Sequence, residues 1–472
     1  MPKDLWGFLT GLAGRPADLV TVTRPIHPDA FEATAILQHL DDRREYPAVL
    51  FERPTNVLGQ PSEVLLVSNV FGTRERCARA LDFPEDQSGL PLSLEFARRE
   101  RQHVPAVTIP PQDAPVRAHT WQGAEADVRK LPVVRHFEMD LGPVLTMGLA
   151  MKALDGEFYD ISFCKGFIHG PRRLGISIHT PHLERLQKQY WDRKARAPVV
   201  FILGHHPAFW LGALALTPFG SNDYDTIGGF LGEPLRLTPS VTWGDRFLIP
   251  ADAEVVIEGE MPPDELEPVD PFGEVTRHYQ AQCLRPVMEV TAISFRERAV
   301  MQDIFSGHRG HWNLGVIPKE GSLYNKLQQK FGCIKAVHLP YSGCGRFLVY
   351  VSMRKDREGV AKVVGHTALH DFPLFQIAVV VDEDIDVFNE SDVIWSVVTN
   401  VNPDRDVDVV RNSATVFTTA MGYTKLVIDA TRPLDVPFPA PMRVPEDAMR
   451  KIRVEDWVKD GTDLLDRLPR VR

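Results

Sequence analysis

The sequence predicts an α/β (α+β) fold built as more than one domain, on three observations. A strand-rich middle third is punctuated by Gly/Pro turns, and the last third alternates between helical and strand periods. The third observation is the composition: 44% hydrophobic with 25% charged residues, the balance of a chain that buries a core. At 472 residues the chain exceeds what one compact core usually holds and points to two or three domains. In chain order, PDAFEATAILQHLDD reads as an amphipathic helix, and PAVLFE and SEVLLVSNVFG read as strands. The proline-dense VPAVTIPPQDAPV (104–116) reads as a linker. GEFYDISFCKGFI, APVVFILGHHPAFW and AEVVIEGEM favour β structure, interrupted by a helix over PHLERLQKQYWDRKA with Leu183, Leu186 and Tyr190 near one face. GSLYNKLQQKFG then reads as helix, FLVYVSM as strand, GVAKVVGHTALHDF as helix and IAVVVDEDID as a buried strand, an alternation that favours βα units. The tail, PEDAMRKIRVEDWVKDGTDLLDRL, reads as one or two amphipathic helices suited to packing on the body or on a neighbouring subunit.

Composition also excludes classes. Lys and Arg total 53 against 63 Asp and Glu, a net charge of −10 that argues against a nucleic-acid binder. No apolar run approaches the roughly 18–20 residues that span a bilayer, and the acids near the start argue against a signal peptide. Five scattered cysteines without a CxxC pair form a reduced, cytoplasmic pattern.

Walker, GxGxxG, HExxH and GxSxG motifs are absent, so the chemistry must be sought in isolated polar groups. Asp160 and Lys165, read as members of one strand, face opposite sides under strand alternation. His205 and His206 are either strand-end turn residues or metal ligands, and Asp382-Glu383-Asp384 at a strand end either cap a helix or hold a divalent ion. Glu274, after a Pro-Phe-Gly turn, is either solvated or placed to give a proton. SGHRGHWNLG, with His308, Arg309, His311 and Trp312, is either a polar loop or a seat for aromatic or acidic ligands.

HPAFWLGALALTPFGSNDYDTIGGFLGEPLRL, PADAEVVIEGE, DPFGE, VVVDEDIDVFNESDVIWSVVTNVNPDRD and GYTKLVIDATRP follow one another in an order and spacing that resemble the UbiD-like decarboxylases, which use prenylated FMN. The similarity runs from about residue 45 to 433. It implies an N-terminal α/β domain over 1–115, a central split β-barrel that binds flavin and metal over 116–317, and a C-terminal α/β domain over 318–472 with a docking tail helix. It also implies a dimer or hexamer and a flavin prenyltransferase as the supplier of the cofactor.

Carried over residue by residue, the resemblance places divalent-metal ligands at Asp160, His182 and Asp223, with Mn²⁺ ahead of Mg²⁺ or Fe²⁺. Backbone near Ile161, Ala213, Leu214 and Ala215 falls at the cofactor and K⁺ positions. Glu274 and Lys165 match the family's acid/base and its cationic partner, and His311 matches a histidine of the benzoate-type branch. Several positions depart from the pattern: Asp160 replaces Asn, Lys165 replaces Arg, Val269 with Asp270 beside it replaces the first catalytic Glu, Gly310 replaces an acid and Gln376 replaces a phosphate-facing Lys. Together the first and last make the phosphate region two charge units less positive than the family norm. The implied activity is reversible, non-oxidative decarboxylation of an aromatic acid or its CoA thioester, of phthaloyl-CoA type, through a covalent adduct with the cofactor. The alternative is a non-catalytic or partner-dependent subunit of a multi-subunit carboxylase.

Overall fold

The computed structural model describes residues 2–414, 422–442 and 444–457, in two compact units, Met1–Thr431 and Arg432–Arg472. The second unit contains short helices at Glu446–Lys451 and Val454–Trp457; the remainder of the tail expected to be helical, 458–468, lies outside the described residues. All sheets of the described residues belong to the first unit.

The first of these sheets runs Leu19–Val22, Ala48–Phe51, Leu65–Ser68, Val300–Asp303, so a strand from far along the chain completes the N-terminal sheet, in parallel register with 65–68. The second has ten strands. Its path is Val144–Leu145, Lys165–Gly170, Arg173–Ser177, Cys283–Phe295, Val255–Met261, Ala197–Ile202, Gly148–Lys152, Tyr159–Phe163, with Leu266–Val269 and His119–Gln122 both borne by the long strand 283–295. The third sheet joins Gly244–Pro250, Arg236–Ser240 and Val107–Thr108, so the expected linker is woven into the body. Its backbone is held further by Val104 N–H on Asp225 O and Val116 N–H on Ala251 O. The last sheet is C-terminal and mixed, with Ile334–His338, Leu348–Met353, Ile377–Asp382, Lys425–Asp429 and Val407–Val410 in that order.

One expectation about the ten-stranded sheet is corrected. Asp160 and Lys165 do not share a strand: the chain breaks at Cys164, whose N–H bonds Met147 O at 3.0 Å. Strand 159–163 pairs with 148–152 at one end of the sheet, and 165–170 pairs with 144–145 at the other. A single bent hairpin, 144–170, therefore supplies both ends of the sheet and curls it into a half-barrel. Such a bend at one residue overrides the simple two-residue alternation.

A second correction concerns the helix expected over 321–332, and with it 306–315, for which a polar loop was one of two readings. One helix runs from Arg309 to Phe331, straight through Pro318. Proline removes one backbone bond, but Leu314, Val316, Ile317 and Leu323 are buried on this helix and their packing holds it together. The same helix packs on helix Leu90–Arg99 so closely that a Cβ added at Gly321 would lie 1.9 Å from Ser93 O. Gly321→Ala should therefore destabilise the protein by roughly 1–3 kcal/mol, although alanine is the better helix former. A urea midpoint at or above wild type would show that the contact yields.

The large core lies between the N-terminal sheet and the half-barrel, and includes Phe51, Phe96, Phe201, Trp210, Ile257 and Val300. A smaller one, with Leu327, Val349, Val364 and Val380, underlies the C-terminal sheet. No helix of the described residues is long and apolar enough to cross a membrane.

Candidate active site

The bend at Cys164 sends Asp160 and Lys165 into two different clusters. In the first, Asp160, only 5% exposed on strand 159–163, is joined through Oδ2 to His182 Nδ1 at 2.8 Å. His182 is held there by the first turn of helix Pro181–Trp191. Asp223 opens helix Asp223–Leu231, is 8% exposed, and accepts the Ile161 N–H on Oδ2 at 2.8 Å and the Thr217 hydroxyl on Oδ1 at 3.3 Å. Burial, with the Asp160 charge adding to it, pushes the Asp223 carboxyl up to about 8. Burial also raises Asp160, against the pull of His182.

Two buried carboxyls with an imidazole beside them form a donor set whose chemistry fits a hard divalent ion. Among the described residues, however, no group of three or more His, Cys, Asp or Glu is arranged to hold a metal as it stands. Ala213, Leu214 and Ala215 form the turn after helix Pro207–Gly212, and the chain beyond is tied by Leu216 N–H to Glu100 Oε1 at 2.9 Å.

In the second cluster Lys165 Nζ contacts Glu274 Oε1, lies 4.0 Å from Asp270 Oδ1, and sits 4.9 Å over the Phe272 ring. Asp270 is 0% exposed, its Oδ1 has no hydrogen-bond partner, and burial raises its carboxyl although Lys165 pulls the other way. Val269 contributes only packing, with Val144, Phe167 and Phe272.

The turn that carries Glu274 is clamped on both sides. Asp140 accepts the Gly273 N–H at 3.1 Å, Ser306 Oγ donates to Gly273 O at 2.6 Å, and Trp312 Nε1 donates to Val275 O at 3.0 Å. Asp140 itself is fixed by the N–H groups of His136 and Phe137.

His311 lies in the first turn of helix Arg309–Phe331, linked to the Glu274 turn through Ser306. Gly307 donates its N–H to Nδ1 at 3.2 Å, so the ring proton sits on Nε2. Burial, and then the charges of Arg346 and Lys165, hold the imidazole well below its ordinary value and keep it neutral. Its neighbours are used internally. His308 stacks on Phe305 with centroids 3.6 Å apart, Arg309 lies over Tyr46 and Tyr341, and Arg277 lies over Trp312.

His205 and His206 prove to be turn residues: His206 caps helix 207–212 by accepting the Ala208 N–H, and burial takes both rings down to about 3. Asp382 ends the C-terminal strand Ile377–Asp382 and Glu383 and Asp384 follow it, in no metal-holding group among the described residues. Gln376 precedes that same strand, its backbone bonded to Phe347 and Leu426.

Sequence reasoning missed Arg346, Glu100 and Lys319. Arg346 shares the electrostatic environment of Glu274 and His311, and burial pushes its guanidinium down to about 10. Burial pushes the Lys319 amine down to about 8, and it lies 4.1 Å over Phe372. Only the third dimension assembles these groups.

Sequence models of the three domains of 3-octaprenyl-4-hydroxybenzoate carboxy-lyase match this chain: the N-terminal domain at 14–91, the Rift-related domain at 108–309 and the C-terminal domain at 313–430. The UbiD-class enzyme HmfF from Pelotomaculum thermopropionicum, solved in complex with FMN, is 30% identical with a TM-score of 0.88, over 96% of this chain and 100% of that one. An evolved dimeric form of HmfF in complex with prFMN is 29% identical, with a TM-score of 0.85 over the same shares. Vanillic acid decarboxylase from Sedimentibacter hydroxybenzoicus, in open form, shares the fold at 23% identity and a TM-score of 0.81, over 98% of this chain and 97% of that one. The fold is that of a carboxy-lyase family. The chain belongs to the UbiD family.

Proposed function

We propose that this protein removes CO₂ reversibly from an aromatic carboxylic acid or its CoA thioester, using prenylated FMN, with Glu274 as proton donor and acceptor. The observation that carries this reading is the Lys165–Glu274 pair on the clamped turn, in a chain of a carboxy-lyase family. When bound, the cofactor supplies the electron sink that an aromatic carbon lacks on losing CO₂. The chain's own part is to orient reactants and move one proton. Glu274 delivers the proton that replaces the carboxylate, and Lys165 holds it in place by its contact with Oε1.

Asp270 brings a second carboxylate to Lys165 from one residue beyond the position where Val269 leaves none. His311, neutral with its proton on Nε2, serves as a hydrogen-bond donor to the bound reactants rather than as a proton carrier. Asp160 and Asp223, with His182, would hold a divalent cation, Mn²⁺ first and Mg²⁺ or Fe²⁺ after it, and backbone near Ile161, Ala213 and Ala215 would hold K⁺. Two carboxylates repel a phosphate dianion, so a divalent cation held by them would supply the positive charge that the cofactor's phosphate needs.

The intact Lys165–Glu274 pair favours an enzyme over a partner-dependent subunit. A flavin prenyltransferase supplies the cofactor, and a homo-oligomer is the expected assembly. The exposed apolar residues Ile394, Trp395 and Val398 on helix Glu390–Asn400 offer a surface for it.

The test is Asp223→Ala, purified after co-expression with a flavin prenyltransferase. Metal content by mass spectrometry and flavin absorbance should fall together, by about tenfold or more. Flavin content equal to that of wild type would remove Asp223 from the cofactor site.

A further inference from the structure

We propose that the Lys319 amine takes up CO₂ as a carbamate that pairs with Arg346, so that the product of decarboxylation modifies the protein reversibly. The proposal rests on the decarboxylase reading above for its source of CO₂, and on the residues themselves for the site.

Lys319 is half-buried on helix 309–331, between the buried Pro318 and Glu320. Among the described residues its amine joins no hydrogen bond or ion pair, and its contact is the face of the Phe372 ring at 4.1 Å. The two carboxylates that act on it are engaged elsewhere. Glu100 Oε1 accepts the Leu216 N–H at 2.9 Å, and Asp371 Oδ1 accepts from Lys326 Nζ at 2.9 Å. Burial, with the charge of Arg346 adding to it, pushes the amine down to about 8. A desolvated lysine beside a second cation is a good nucleophile, because part of it is uncharged near neutral pH.

Arg346 supplies the complement. Gly315 stands four residues before Lys319, so the two positions share one face of the helix. A Cβ at Gly315 would come within 2.5 Å of Arg346 Cζ, so the guanidinium lies against the turn toward which a side chain at 319 leans. Nη1 of Arg346 is buried without a hydrogen-bond partner, and the residue joins none of the ion pairs of the described residues. Two cations thus meet on one helix face with neither in an ion pair. Conversion of one of them to an anion relieves the cost of both.

The step is an addition and needs no oxidant or reductant. The uncharged Nζ attacks the carbon of CO₂; one N–C bond forms, one C–O π pair moves onto oxygen, and one proton leaves Nζ for water. The carbamate presents two oxygens like a carboxylate, which a guanidinium meets with two parallel N–H groups. CO₂ then acts back on the protein that releases it. As it accumulates, Lys319 turns from cation to anion and neutralises Arg346, whose charge otherwise reaches His311 and Glu274. An anionic acid is attracted less strongly to that region in consequence.

The experiment exposes the whole chain, flavin-free and flavin-loaded, to ¹³C-labelled bicarbonate and CO₂ near neutral pH. Carbon-13 NMR reads the adduct at equilibrium, and trapping with triethyloxonium followed by peptide mass mapping locates it. An amine at about 8 instead of 10.5 is uncharged about a hundredfold more often, so the label at Lys319 should exceed that at the exposed Lys188 by about tenfold or more. Lys319→Arg should lose it. Arg346→Met should lower it about tenfold, the worth of one charge-assisted pair, and Arg346→Lys should keep part of it. Gly315→Ala should also lower it with both charges still present, because the new methyl displaces the guanidinium.

Label at Lys319 no higher than at Lys188 in folded wild type overturns the proposal. So does label that is unchanged in Arg346→Met, or a carbon-13 signal that trapping never fixes to Lys319, which is bicarbonate bound without a covalent bond. Label at Lys319 in flavin-loaded protein that releases no CO₂ from aromatic acids overturns the decarboxylase reading instead, while the carbamate site stands.

Discussion

Glu274→Gln should lower turnover by about a thousandfold or more, within the range for loss of a general acid–base, and leave flavin content unchanged. Glutamine keeps the shape and can still accept a hydrogen bond from Lys165, and the clamp by Asp140, Ser306 and Trp312 acts on backbone atoms of 273 and 275, which the substitution does not touch. What is lost is the transferable proton. The measurement is CO₂ release together with exchange of deuterium into the product, on protein whose flavin spectrum matches that of wild type. Turnover within tenfold of wild type would remove Glu274 from the chemistry. A parallel loss of flavin would make it a binding residue instead.

Glu320→Gln should destabilise the fold by about 3–5 kcal/mol, as expected when one member of a buried ion pair is removed. Glu320 is 0% exposed and takes hydrogen bonds from Arg74 Nη1 at 2.9 Å, Ser93 Oγ at 2.8 Å, Leu339 N–H at 3.0 Å and His338 Nδ1 at 2.7 Å. Burial alone would raise its carboxyl; the Arg74 charge and the His338 bond win, and hold it down at about 2 against an ordinary 4.5. Because the folded value is depressed, the stabilisation is fully present above about 4.5 and is lost as pH falls toward 2. Wild type should therefore lose stability steeply between those limits, and Glu320→Gln should show a flatter profile there. Urea midpoints at a series of pH values give both numbers. An unchanged midpoint at neutral pH would show that the network carries no net weight.

The elements with strong periodicity were legible. Helix Pro181–Trp191 buries the expected Leu183, Leu186 and Tyr190, and strand Ile377–Asp382 is buried as its apolar run requires. The half-barrel was not legible from period alone, because one break at Cys164 reassigns two neighbouring strands to opposite ends of a sheet. Helix 309–331 was hidden by Pro318 and by its His- and Gly-rich first turns, where tertiary packing outweighs local preference. Within the site, the contact between Lys165 and Glu274 was anticipated by resemblance, not by spacing, since 109 residues separate them. Arg346 left no signal at all: its guanidinium lies against Gly315, and no sequence pattern links the two.

Helix 309–331 also has a mechanical role. It carries His311 near one end and, ten residues or about 15 Å further along, Glu320 and Gly321 wedged against Arg74 and Ser93. A rigid rod pinned that firmly acts as a lever, so a small tilt at the pinned part swings His311 relative to Glu274. Variants of the Ser93 region that only loosen this grip should then mimic active-site lesions, with catalysis failing in protein that is still folded.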